Sequence, residues 1–72
     1  MSVITSPVTG SVWKIQVAVG DRVAKEDEVM ILESMKMEIP VEADQPGTVV
    51  SLLAAEGDSV GEGDPLLELQ GD

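Results

Sequence analysis

An all-β fold, most simply two small sheets packed face to face, is predicted by three features of this chain. Short segments rich in Val, Ile and Leu alternate with turn-forming residues, and the 72 residues include 7 Gly and 4 Pro. No stretch keeps apolar residues at i, i+3, i+4 and i+7 for long enough to make a stable helix. The third feature is an internal repeat. GSVWKIQVAVGDRVAKEDEVMILE (10–33) lies over GTVVSLLAAEGDSVGEGDPLLELQ (47–70) without a gap, at an offset of 37 residues. The pairs Gly10/Gly47, Val12/Val49, Gly20/Gly57, Asp21/Asp58, Val23/Val60, Asp27/Asp64 and Leu32/Leu69 are identical. Repeats of this length build solenoids only in larger numbers. Two units, about 2–33 and 39–70, joined by SMKME, therefore predict one pseudo-two-fold domain over residues 1–72.

In chain order, strands are expected at 3–5, 11–17, 28–33, 39–43, 48–54 and 66–70. Within 11–17 the apolar positions Val12, Ile15 and Val17 change parity once, which places a β-bulge between 12 and 15. The Gly-Asp pairs at 20–21 and 57–58 are turn chemistry: glycine supplies a positive φ, and the aspartate side chain bonds to nearby backbone. Residues 29–42, VMILESMKMEIPVE, hold no Gly, Asn or Asp, yet they must reverse. Extended, they would span about 46 Å at ~3.3 Å per residue. A chain of this length folds to a diameter of only about 30 Å. A two-residue loop of Met35 and Lys36 pairs Ser34 with Met37, Leu32 with Ile39 and Met30 with Val41, with the apolar members on one face. The other face receives Glu33 opposite Glu38, a like-charge pair costing roughly 0.2–1 kcal/mol. Such a hairpin breaks two local rules, because tight primed turns favour Gly or Asn and because two methionines stand at an exposed tip. Places where local logic fails are places to look for function.

Composition narrows that function. Four Lys and Arg against 14 Asp and Glu give a net charge of −10, which repels a phosphate backbone. One Trp and no Phe or Tyr leave no platform for stacked bases, so no nucleic-acid partner is expected. A hydrophobic content of 43% is too high for a disordered acidic tail. The absence of Cys and His removes disulfides, thiolate nucleophiles, Ser/His triads and the usual zinc ligand sets. The first residues lack the pattern of a signal peptide, and no apolar run is long enough to span a membrane. A cytoplasmic protein without a membrane partner is expected. Trp13, the lone aromatic, reads as cover for a barrel edge or a sheet face.

Lys36 is the last cation of the chain and occupies the most projecting point of the hairpin. A loop lysine is ordinarily a solubility residue, and methionines ordinarily fill a core. A Schiff-base lysine needs an apolar pocket or a neighbouring cation, and the flanking Glu33 and Glu38 provide neither. The lysine is better suited to be a substrate, to which an enzyme attaches a group.

ESMKMEIP (33–40), followed by ADQPGTVVSLLAAEGDSVGEGDPLLEL (43–69), closely resembles the biotin carboxyl carrier domain of the biotin/lipoyl attachment family. The resemblance covers residues 2–70, with Pro7–Gly10 as its PxxG and both Gly-Asp turns in the expected order. It implies a flattened β-barrel of two four-stranded antiparallel sheets related by a quasi-dyad, with the acceptor lysine on a hairpin tip. It also implies that a biotin protein ligase joins biotin to Lys36 through an amide, with Met35, Met37 and Glu33 forming the turn and the features the ligase reads. Biotin's ureido nitrogen would then be carboxylated at a biotin carboxylase site and discharged at a carboxyltransferase site, the domain itself being no enzyme. Ser34 departs from the commoner Ala, a small-for-small change. A protruding thumb and a Pro/Ala-rich linker are missing, so a small free-standing carrier, monomeric in isolation, is expected. The nearest rival is a lipoyl carrier of a 2-oxoacid dehydrogenase-type system, or a carrier accepting both groups. Lipoyl domains usually show Asp-Lys-Ala at the turn, and Met-Lys-Met argues for biotin. A small β interaction module with an incidental lysine is the rival from another class.

Overall fold

The computed structural model describes residues 2–71. Eight strands form two four-stranded antiparallel sheets: β1 (Ser2–Thr5), β2 (Gly10–Ile15), β3 (Arg22–Val23), β4 (Glu28–Ser34), β5 (Met37–Glu42), β6 (Gly47–Leu52), β7 (Ser59–Val60) and β8 (Pro65–Gly71). One sheet has the order β1-β8-β6-β3 and the other β5-β4-β2-β7. A shift of 37 residues sends each strand of one sheet onto its counterpart in the other, so the internal repeat is written into the pairing itself. The all-β class and the two-sheet architecture are as expected. The two-residue strands β3 and β7 are not among the segments read from the residues, being too short to leave an alternation.

Side chains from both sheets fill one core. Ile4, Val12, Val23, Val29, Met30, Leu32, Val41, Ala43, Val49, Val60, Leu66, Leu67 and Leu69 are buried. They come largely as repeat mates, such as Val12/Val49, Met30/Leu67 and Leu32/Leu69. Successive buried residues break strand alternation at Val29–Met30, where the β4–β5 register shifts between Glu28 and Met30. The extra residue lets both side chains point inward. The bulge expected in the second strand is present between Val12 and Lys14, and its mate lies between Val49 and Ser51.

Each Gly-Asp turn closes as its chemistry dictates. Gly20 and Gly57 have φ of 98° and 91°. The Asp21 and Asp58 carboxylates accept bonds from the Ala18 and Ala55 amides, both at 2.9 Å. The same turns hold the two units together. Gly20 N–H donates to the Val49 carbonyl at 2.7 Å, and Gly57 N–H to the Val12 carbonyl at 2.8 Å. Each unit thus clips the central strand of the other. The long axis measures 35 Å against 18 Å for the others. β5 runs away from the β4–β5 turn towards Gly47, which pairs with Gly71.

Candidate functional site: the Lys36 hairpin tip

The β4–β5 register is Ser34 to Met37, Glu33 to Glu38, Leu32 to Ile39 and Met30 to Val41, which leaves Met35 and Lys36 as the whole loop. The pairing follows from burial. This register turns Met30, Leu32 and Val41 inward together, where a one-residue slip would turn one strand's set outward, and all three are buried. Met35 and Lys36 have φ of 53° and 65°, as a primed two-residue turn requires. Neither residue visits that region freely, and each costs on the order of 1–2 kcal/mol there. The strands on both sides hold the strained turn in place.

Met35 is 92% exposed and Met37 61%, so the ordinary core-filling reading of these methionines does not hold. Met30 is the methionine that fills the core. Lys36 lies exposed between the tip methionines, and its amine has no hydrogen-bond or ion-pair partner among the described residues. Glu33 and Glu38 face each other across the strands and are both exposed. The turn is convex. Two surface hollows lie elsewhere, one lined by Ile15, Val17, Leu52–Glu56 and Asp58 and the other by residues of the β1 and β5 edges, and neither includes residues 33–38.

A side brace supports the base of the turn. Ser34 Oγ donates to the Thr9 carbonyl at 2.8 Å, tying β4 to the loop that ends at Gly10. Gly10 lies so close to the Glu33 carbonyl oxygen that a Cβ there would overlap it. The Gly10/Gly47 identity signalled that close approach, because the Gly47 Cβ direction points likewise at the Gln70 carbonyl. The Ser34 bond was beyond sequence reasoning, since its acceptor is a backbone oxygen 25 residues away. Trp13 is the extra residue of the β2 bulge, half exposed and set back from the tip.

A family model described as "Biotin-requiring enzyme" matches residues 2–69. The chain belongs to the biotin/lipoyl attachment family. It is 52% identical over 66 residues to the "Biotin/lipoyl attachment protein" of Bacillus subtilis (strain 168), covering 92% of this chain and 90% of that protein. It is 45% identical over 69 residues to the human mitochondrial propionyl-CoA carboxylase alpha chain, covering 96% of this chain and 10% of that one. The crystal structure of the Kluyveromyces lactis urea carboxylase superposes with a TM-score of 0.90 at 39% identity, over 96% of this chain and 6% of that one. The fold therefore occurs both as nearly the whole of a small protein and as a small segment of large carboxylases.

Proposed function

We propose that the chain is a biotin carrier in which Lys36 accepts biotin and shuttles carboxyl groups between biotin carboxylase and carboxyltransferase sites. The observation that carries this reading is the tip itself: an exposed amine without a partner among the described residues, on a strained two-residue turn between exposed methionines. Family membership supports it, as does the likeness to segments of two carboxylases.

The residues present fit the group. Amide formation needs an accessible lysine amine and room around it, and Lys36 offers both. When attached, biotin supplies a ureido nitrogen that takes up and releases a carboxyl group. The chain's own part is positional. Lys36 Nζ would hold biotin through an amide, its proton passing to the ligase and AMP leaving the activated carboxyl as the amide forms. Met35 and Met37 give the ligase apolar surface on both sides of the amine, and Glu33 helps to frame the turn. Tethering then raises the effective concentration at both sites to around millimolar. On this reading the domain performs no bond chemistry itself. Its partners are a biotin protein ligase and carboxylase and carboxyltransferase subunits, and its setting is the cytoplasm.

The test is intact mass after co-expression with a biotin ligase, with and without biotin, beside a Lys36→Arg variant. Arginine keeps charge and length but cannot give up a proton to attack an acyl adenylate. One biotin on the unsubstituted chain and none on the variant is expected. Biotin on Lys36→Arg would move the acceptor to Lys14, Lys25 or the N-terminus. A parallel arm with a lipoate ligase and lipoate should leave the mass unchanged.

A further inference from the structure

We propose that Met35 and Met37 form a reversible oxidation site, and that their sulfoxides block the loading of Lys36. The inference rests on the biotin-acceptor reading above and adds a chemical modification to the same tip. The chain contains 4 Met and no Cys, so no thiol competes for a two-electron oxidant and the thioethers are its softest nucleophiles. Burial then sorts the sulfurs. Met30 is sealed between the sheets, while Met35 and Met37 stand in solvent on either side of Lys36.

A peroxide can therefore reach the tip sulfurs and not the core one. Thioether sulfur attacks one oxygen of hydrogen peroxide. The O–O bond breaks, an S–O bond forms, and the second oxygen leaves as water. Sulfur loses two electrons and the peroxide gains them. A thiol-dependent methionine sulfoxide reductase reverses the step: the oxygen departs as water while two thiols become a disulfide.

The consequence follows from where the turn holds these side chains. A sulfoxide is polar and chiral where the thioether was apolar. The two strands fix Met35 and Met37 beside the amine, so an enzyme that closes on Lys36 must bury them. A buried sulfoxide oxygen without a donor is costly, and the apolar contact is lost as well. Losing one such contact corresponds to about a tenfold fall in rate, and both to about a hundredfold.

The experiment treats the unloaded full-length chain with limiting hydrogen peroxide, maps the added oxygen by peptide mass, and measures labelling by biotin ligase with biotin and ATP. Met35 and Met37 should each gain an oxygen before Met30 does. Labelling should fall at least tenfold, and reductase treatment should restore both mass and rate. Untreated protein in the same assay reports on the acceptor reading: no labelling there removes both proposals. Labelling that survives full oxidation of the tip removes only this one, as does a loss that the reductase fails to reverse. Met30 oxidising as fast as the tip would also overturn it. A Met35→Leu/Met37→Leu chain keeps apolar bulk without sulfur, and is compared with itself before and after peroxide. A loss as large as in the unsubstituted chain would put the lesion elsewhere and end the proposal. The reductase arm decides alone should the leucine chain label too slowly to read.

Discussion

At Glu26 the backbone takes φ of 73°, a region that disfavours a glutamate, where its repeat mate Gly63 has φ of 89°. Both residues do the same work. Glu26 N–H donates to the Ala43 carbonyl and Gly63 N–H to the Ser6 carbonyl, each at 2.8 Å, and positions 6 and 43 are themselves repeat mates. The geometry is thus imposed by the fold, and only one copy has the residue suited to it. Glu26→Gly should relieve about 1 kcal/mol of strain and give back part of that through a more flexible unfolded chain. A net gain of up to about 1 kcal/mol is expected in urea denaturation. Gly63→Ala should go the other way by about 1 kcal/mol. Nothing lies within 4 Å of an added Cβ at Gly63, so the cost there is backbone strain without a clash. A destabilised Glu26→Gly would mean that its side chain is worth more than its strain. Nothing in the local sequence marks Glu26 as a positive-φ residue, and only alignment on Gly63 hints at it.

The β4–β5 hairpin shows how an element becomes legible without turn residues. Its register could be read because a two-residue loop puts Met30, Leu32, Ile39 and Val41 on one face, which a one-residue slip would split, and burial rewards the shared face far more than the turn penalises it. By contrast β3 and β7 have two residues each and exist because β6 and β2 offer them edges. No local pattern encodes a partner's edge. The site was legible to the same degree: position and projection of Lys36 followed from the register, while the Ser34 brace depended on a distant carbonyl. Exchanging Met35→Lys and Lys36→Met together tests the turn with composition and charge unchanged. In a mobile loop the amine would sample nearly the same space and the ligase would barely respond. In a fixed two-residue turn the two side chains leave in different directions, and a misplacement of about 1 Å can cost on the order of a hundredfold. Little or no biotin on the exchanged chain is expected, with an unchanged circular dichroism spectrum. Efficient labelling would remove the rigid-tip account.

The whole molecule is held by bonds that cross between its two sequence repeats. β1 and β3 come from the first repeat, yet within their sheet they are separated by β8 and β6 from the second. Neither repeat contains a complete sheet. The Gly-Asp turns add the cross-clips, Gly20 to Val49 and Gly57 to Val12, and the return bonds from Val49 N–H to the Asp21 carbonyl and Val12 N–H to the Asp58 carbonyl are both 2.8 Å. A fault in one turn must therefore be felt in both units. Gly57→Val provides the test. No atom lies within 4 Å of an added Cβ at Gly57, so the penalty comes from forcing a β-branched residue to a φ of 91°. About 1 kcal/mol or more is expected, equivalent to a fall in Tm of roughly 4–8 °C for a domain of this size. Gly20→Val should cost about the same, because its turn makes the matching bonds. Native-state hydrogen exchange separates a shared fold from two loosely joined halves. In one cooperative unit, Gly57→Val lowers the protection of slow amides in β4 and β8 by the same free energy, although β4 belongs to the other repeat. Independent halves would leave β4 protection at its original level. Equal loss would also mean that the platform beneath Lys36 is only as stable as the turn at Gly57, whose Gly57 N–H and Asp58 carbonyl both bond to Val12 and fix the strand next to the hairpin.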